Sequence, residues 1–283
     1  MSFIRLAICT TGVYSMFLLW AIAQEKLSTP PHRFPSPLIL GTVQSILSAL
    51  SAYLYISLKP KPTSKSPTPT PPTQLLLRIF QCSLFITSAA PFGYAAIAHL
   101  SYPAIVLGKS CKLIPVMFMN VLIYRRKFKP YKYLVVSIVS LGITIFFFDQ
   151  KKNKNNKSKV ATAGASPLLG LLYLLTNLLL DGLTNSTQDH IFVSFPSLTG
   201  QHLMLYTNLF STLISLSLSL LPLPYIPIIH PTTEKVSELA IALTFIKQNP
   251  SVLKPLLQFA ITGALGQIFI FETLQHFGSL TLV

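Results

Sequence analysis

The chain is predicted to be an all-α polytopic membrane protein with about eight membrane helices present, arranged as inverted five-helix repeats with the second repeat truncated. Three observations carry this. Of 283 residues 51% are hydrophobic and only 10% charged, with a mean hydropathy of +0.58, whereas a soluble domain carries nearer a quarter charged residues. About eight apolar runs approach the length a bilayer requires. Residues spaced alike recur in two halves separated by an odd number of runs.

The runs fall at about 2–23, 37–58, 75–100, 102–124, 133–149, 167–187, 203–221 and 253–276. The first resembles a signal peptide, with Arg5 before the apolar stretch and Ala21-Ile22-Ala23 like a cleavage site. It is longer than a usual signal core and leads directly into Gln24-Glu25-Lys26, so it reads as a retained helix. Segment 59–73 is rich in Pro, Thr and Ser and reads as an extended linker. Pro91, Pro103 and Pro115 lie inside runs, where prolines mark kinks beside a cavity. Arg125, Arg126, Lys127, Lys129 and Lys132 crowd the turn between the fourth and fifth runs. The lysine-rich segment 151–159 lacks interleaved aromatics and is tethered to the membrane at both ends. It reads as a solvated loop, not a nucleic-acid patch. Segment 233–249 places Val236, Leu239, Ala240, Leu243 and Ile246 on one face, the pattern of a short helix lying at the interface. The resulting division is a first repeat at 1–149, a hydrophilic loop at 150–166 and a second repeat at 167–283. Cys9, Cys82 and Cys111 lie inside runs without metal-ligand spacing and read as packing residues; no metal or other cofactor is expected.

Lys109 and Lys112 are the informative residues. They interrupt the apolar fourth run near mid-membrane, where each charge costs roughly 2.5–3.5 kcal/mol on insertion scales. Spaced i, i+3, they share a helical face. An acid on a neighbouring helix would account for one of them. Two are harder to place with only seven Asp and Glu in the chain, and binding of a multiply charged anion accounts for both. Asp181 and Gln188, on the sixth helix, are further candidates, because an acid within the membrane is functional by default. Gln267 either joins the site or bonds across a helix interface.

The repeat rests on register. Gln24-Glu25-Lys26 ends the first run, and Gln188-Asp189-His190 ends the sixth with the same order of amide, acid and base. Gln81, Phe92 and His99 of the third run match Gln258, Phe269 and His276 of the eighth. Five helices per copy invert the second copy, an arrangement that places a site at the bilayer midplane. In this register the counterparts of Lys109 and Lys112 would lie beyond Val283.

Several segments closely resemble the nucleotide-sugar transporter family. They are Gly108-Lys109-Ser110-Cys111-Lys112-Leu113-Ile114-Pro115-Val116, Gln24-Glu25-Lys26, Asp181-Gly182-Leu183-Thr184, Gln188-Asp189-His190 and Gly266-Gln267-Ile268-Phe269-Ile270-Phe271. The nearest subgroup is that of the endoplasmic-reticulum UDP-galactose transporter homologues. The resemblance implies the drug/metabolite-transporter fold of ten helices. It also implies exchange of a cytosolic nucleotide sugar, UDP-galactose or UDP-glucose, for a lumenal nucleotide across the endoplasmic-reticulum or Golgi membrane. Lys109 and Lys112 would then neutralise the diphosphate, and Gln24 and Glu25 would meet sugar or ribose hydroxyls. One of Phe92, Tyr94 and Tyr102 would stack on the base, although aromatics there are more often packing.

Other readings stay open. ATP/ADP exchange occurs among relatives of this subgroup. The opening of a ninth helix at 277–283, without its remainder or a tenth, leads to the expectation that the chain is a fragment or shortened product. Such a product is either a non-transporting membrane protein or one completed by a homodimer. A hydrolase built from Asp181, Asp189, His190 and His202 is disfavoured, because no catalytic motif accompanies them and Asp189-His190 sits at a run end.

Basic residues divide evenly between the two sides, so charge alone leaves orientation balanced. The tight turn around Arg125–Arg126 tips it towards a cytosolic N-terminus. Asn156-Lys157-Ser158 then lies on the lumenal side, whereas Asn185-Ser186-Thr187 lies inside a helix and is unreachable. With the 150–166 loop lengthened, the Asn156 sequon should become sensitive to endoglycosidase; modification of a sequon placed in 59–73 instead would reverse the orientation.

Overall fold

A computed structural model describes residues 2–28, 34–58, 73–100, 105, 108–109, 112–122, 130–131, 133–138, 141–142, 145, 167–221 and 236–277. The predicted loop at 150–166, Tyr102 and Cys111 lie outside them. The described helices are α1 (Ser2–Ser28), α2 (Pro37–Leu58), α3 (Thr73–His99), α4 (Leu113–Leu122), α5 (Pro167–Ser194), α6 (Gly200–Leu220), α7 (Glu238–Gln248) and α8 (Leu253–Phe277), the last preceded by a 3-10 turn at Pro250–Val252. There is no strand among the described residues. Within them, α1, α2, α3, α5, α6 and the Pro250–Phe277 segment are each long and apolar enough to cross a bilayer. Their outward residues, such as Ile8, Leu18, Leu50, Leu168 and Leu213, are exposed apolar side chains suited to lipid. The fifth run is described only in part, at helical positions including 133–138, 141–142 and 145.

Hydroxyl caps start the helices where the sequence supplies them. The Ser36 hydroxyl accepts from Ile39 N (3.4 Å) at the head of α2, Thr199 caps α6 and Ser237 caps α7. Pro91 sits within α3, and the Asn177 amide of α5 donates to the nearby carbonyl of Ala89 (2.9 Å). Side chains of neighbouring helices commonly satisfy the backbone around a membrane proline in this way.

Helix pairing is regular. α1 packs along α8, α3 along α5 and α2 along α6, while α2 also touches α8 and α3 also touches α6. Glycines permit the α1–α8 approach: a Cβ on Gly12 would lie 2.7 Å from the Phe269 ring, and one on Gly266 would lie 2.6 Å from the Phe17 ring. Trp20 ties three helices together, stacking on Phe259 at 5.2 Å and donating to Gln44 Oε1 at 3.2 Å. Hydroxyls and amides join the remaining seams, as in Thr42 to Ser215 (2.9 Å) and Ser83 to Thr207 O (3.0 Å). Apolar association alone is weak in lipid, so small residues and interhelical hydrogen bonds carry these contacts.

Two expectations are corrected. The sequence places the end of the sixth helix at Gln188-Asp189-His190, with Asp189 and His190 open to solvent. Instead α5 continues to Ser194, Gln188 and Asp189 are buried, and Ile191 just beyond them joins the core cluster with Leu203 and Phe271. The 233–249 segment was read as an interfacial helix presenting Val236, Leu239, Ala240, Leu243 and Ile246. Its helical part, α7, buries Glu238 and Ala242 instead and leaves Leu243 exposed, and Val236, two residues before α7, is exposed as well. Leu239, Phe245 and Ile246 pack on the cluster containing Phe34, Ile39 and Phe259. An acid in the first turn favours the amide-rich end of its own helix, so Glu238 tolerates the inward position.

Gly200, where α6 begins, separates two kinds of glycine. Its N–H donates to Gln275 Oε1 at 2.6 Å, and a Cβ there would collide with the backbone carbonyl of Phe271, which cannot swing away. Gly200→Ala should therefore destabilise by about 1–3 kcal/mol. Gly41→Ala, with no atom within 4 Å of the added carbon, should stabilise by roughly 0.5–1 kcal/mol. Unfolding of the purified variants in detergent tests the opposite signs.

Candidate functional site

The site forms where the chain turns into α4. Lys109 is helical, and Lys112 sits in a turn closed by its own N–H donating to the Lys109 carbonyl (3.1 Å). Lys112 then accepts from Val116 N (3.1 Å), which opens α4. The lysines therefore border a helix start, not the middle of one uniform helix. Pro115 falls in the first turn of α4, where a missing N–H is tolerated. A helix N-terminus carries partial positive charge, which adds to that of the two ammonium groups.

α5 seats this turn. A Cβ on Gly182 would lie 2.9 Å from the Pro115 carbonyl carbon, so the glycine lets the two backbones meet. The Ser186 hydroxyl donates to Val116 O at 3.3 Å. Gly108 lies against Leu174, where an added Cβ would clash. Held this way, Lys112 Nζ stands 4.0 Å from Asp181 Oδ2, and each side chain keeps 31% of its exposure. Lys109 is half-buried, within electrostatic reach of both Asp181 and Lys112. The reading of a lysine paired with a neighbouring acid thus holds for Lys112. Among the described residues, this single carboxylate still balances only one of the two cations.

The other candidates divide. Gln188 is buried and bonds the Cys82 thiol across the α3–α5 seam, a packing role. Gln267 Oε1 accepts from Asn208 Nδ2 at 2.9 Å, an interhelical bond between α8 and α6. Phe92 rests against Tyr173 with ring centroids 6.3 Å apart, so it is spent on packing. Tyr94 is partly buried against the cluster that includes Ala23, Trp20 and Phe259, which connects α3 with the turn of α1 bearing Gln24. Gln24 is buried and Glu25 exposed on that turn. Tyr102 lies outside the described residues.

Sequence reasoning missed the polar edge of α5. Asn177, Asp181 and Asn185 are spaced i, i+4, i+8 and line one edge of the helix. Both asparagines are buried, and their spacing from Asp181 was the available signal. Among the described residues, the arrangement sets two cations against one carboxylate.

Comparison with known proteins follows from this geometry. The profile of the UAA transporter family matches residues 5–283. The chain is similar to "UDP-galactose transporter homolog 1" of Cryptococcus neoformans var. neoformans serotype D, 41% identical over 100% of this chain and 87% of the relative. Proteins of the same name from Schizosaccharomyces pombe and Aspergillus fumigatus are each 38% identical over 99% of this chain, covering 80% and 74% of their own lengths.

The Gln267–Asn208 bond yields a test that separates packing from binding. Gln267→Leu should lower stability by about 0.6–2 kcal/mol, the worth of an interhelical hydrogen bond in a membrane, and leave nucleotide affinity within about twofold. Titration of UDP onto the variant checks this; a loss of affinity without a loss of stability would return Gln267 to the binding site.

Proposed function

Since the chain belongs to the UAA transporter family and is a multi-pass membrane transporter, we propose that it carries a nucleotide sugar, UDP-galactose or UDP-glucose, into the endoplasmic-reticulum lumen in exchange for a nucleotide. The Golgi membrane is the alternative location. The observation that carries this is the pair Lys109 and Lys112 at the opening of α4, beside the middle of the long apolar helix α5, with one facing carboxylate among the described residues, Asp181. A nucleotide diphosphate supplies the negative charge that such a surplus requires. Two point-charge ammonium groups and a helix N-terminus suit its oxygens without demanding one fixed geometry.

In this reading Lys109 and Lys112 hold the diphosphate, and the α1 turn carrying Gln24 and Glu25 offers hydrogen bonds to sugar or ribose hydroxyls. Tyr94 offers an aromatic face between α3 and that turn. The helix pairing supports a two-repeat organisation at 1–149 and 167–283. If α1, α2 and α3 correspond to α5, α6 and α8, then α1 on α8 and α3 on α5 are equivalent contacts, and α2 on α6 is its own counterpart. Rocking of two such halves about a midplane site exposes the lysines to one side and then the other. Exchange is consistent with the same charges, because a nucleotide sugar and a nucleotide both present phosphate oxygens to the two lysines.

Lys109→Ala combined with Lys112→Ala should leave the protein inserted and monodisperse, and should weaken UDP-galactose binding by about 100-fold or more, each lost phosphate pair contributing about 1.5–3 kcal/mol. Uptake of labelled UDP-galactose into proteoliposomes preloaded with UMP should fall to background, with ATP as a competitor to test the substrate class. Wild-type affinity in the double variant overturns the proposal.

A further inference from the structure

The Lys112–Asp181 pair raises a question that the phosphate site leaves open. If a diphosphate takes Lys112, the Asp181 carboxylate is displaced beside a second negative charge, halfway through the membrane. Asp181 keeps only 31% of its side-chain exposure, and a charge so placed is unfavourable once its partner is taken away. The carboxylate therefore needs another hydrogen-bond donor within reach of one side-chain rotation.

Most polar side chains within two turns of it on α5 are already committed. Asn177, one turn towards the start of α5, gives its amide to Ala89 O. The Thr184 hydroxyl donates to Leu180 O at 2.9 Å, the Ser186 hydroxyl donates to Val116 O, and Gln188 bonds Cys82. Asn185 differs. It stands one turn beyond Asp181 on the same edge, where i and i+4 side chains meet. Only 5% of it is exposed, and its Nδ2 has no hydrogen-bond partner among the described residues. A buried amide donor left without an acceptor is uncommon and costs about 1–3 kcal/mol.

We infer that Asp181 is a counterion that competes with the substrate for Lys112, and that Asn185 Nδ2 receives its carboxylate when a nucleotide diphosphate takes its place. This rests on the phosphate-binding role proposed above and changes the part of Asp181 within it, from a group that touches substrate to one that substrate displaces. In the unloaded protein Asp181 neutralises Lys112, and the Asn185 donor waits. On loading, the Asp181 side chain rotates towards Asn185, whose side chain reaches back along the same edge of α5, and no charge is left bare. On release it returns to Lys112 and helps expel the bound anion, so the site binds reversibly despite its two cations. Asn185 is thus a positioning residue for binding; the contact with substrate remains with the lysines.

A double-mutant cycle tests the hand-over with the full-length protein purified in detergent, using UDP and inorganic pyrophosphate as probes. Asp181→Asn should bind both about three- to tenfold more tightly, because the competitor is gone, and should turn over exchange more slowly. Asn185→Leu should weaken binding about threefold or more in the parent, and by less than twofold once Asp181 is Asn, because no carboxylate then needs a seat. Weakening by Asp181→Asn to the extent seen with Lys112→Ala would show that Asp181 contacts substrate, and would overturn the inference. So would equal effects of Asn185→Leu in both backgrounds. If the Asp181 variant does not fold, Asn185→Leu alone decides, since unchanged UDP affinity overturns the hand-over. Failure of the phosphate site itself looks different: the parent binds neither probe, or the double lysine variant binds as the parent does.

Discussion

Cations halfway through a bilayer dominate the organisation of this chain, because hydrocarbon neither solvates nor screens them. Lys109 and Lys112 can persist only if the surrounding helices supply opposite charge or a polar cavity. The fold supplies part of this from α5, and the means are modest: a glycine at 182 that lets backbones approach, a hydroxyl at 186 that holds the α4 carbonyl of Val116, and a carboxylate at 181 placed opposite Lys112. Remove the close seat and the acid no longer reaches its cation. In the proposed function, the remaining positive charge is what an anionic cargo would offset.

The same scarcity of solvent explains the seams between helices. In water, burying leucine against leucine would suffice, but in lipid the alternative environment is equally apolar. The interfaces accordingly use small and hydroxyl residues, such as Thr42 against Ser215 and Ser83 against Thr207 O, and amides such as Asn208 against Gln267. Apolar clusters gather towards the two ends of the bundle. One, with Ile79, Leu203 and Phe271, lies at the N-terminal end of α1; the other, with Leu27, Leu40 and Phe259, lies at its C-terminal end. Between them lies the polar edge of α5, the zone in which a cargo could change its exposure from one face to the other.

Pairing of α1 with α8 and of α3 with α5 gives the bundle a pattern that reads the same from either half. Such a pattern supports a transport cycle in which two similar units move about a shared centre. The glycine contacts of α1 and α8, with Gly12 under Phe269 and Gly266 under Phe17, bring that pair into close contact.

Much of this was legible in the sequence. Helix existence follows from apolar length, because the bilayer imposes one thickness on every span, and the six long described helices match the expected runs to within about three residues, apart from the extra turns at the ends of α1 and α5. The lysine pair announced a site because a charge in an apolar stretch is costly wherever its neighbours lie. Tertiary structure alone decided the partners. Asp181 is 69 positions from Lys112 in the chain, and only the docking of α4 on Gly182 brings the two charges to 4.0 Å. Likewise α5 runs on to Ser194 because Gln188, Asp189 and Ile191 find buried contacts, whereas hydropathy stops at the first polar cluster. α7 turns Glu238 inward because of what packs around it, a preference its own periodicity did not contain. Hydropathy registers the cost of each residue in isolation; which polar groups cancel one another depends on distances between helices remote in the chain, and those exist only once the bundle is packed.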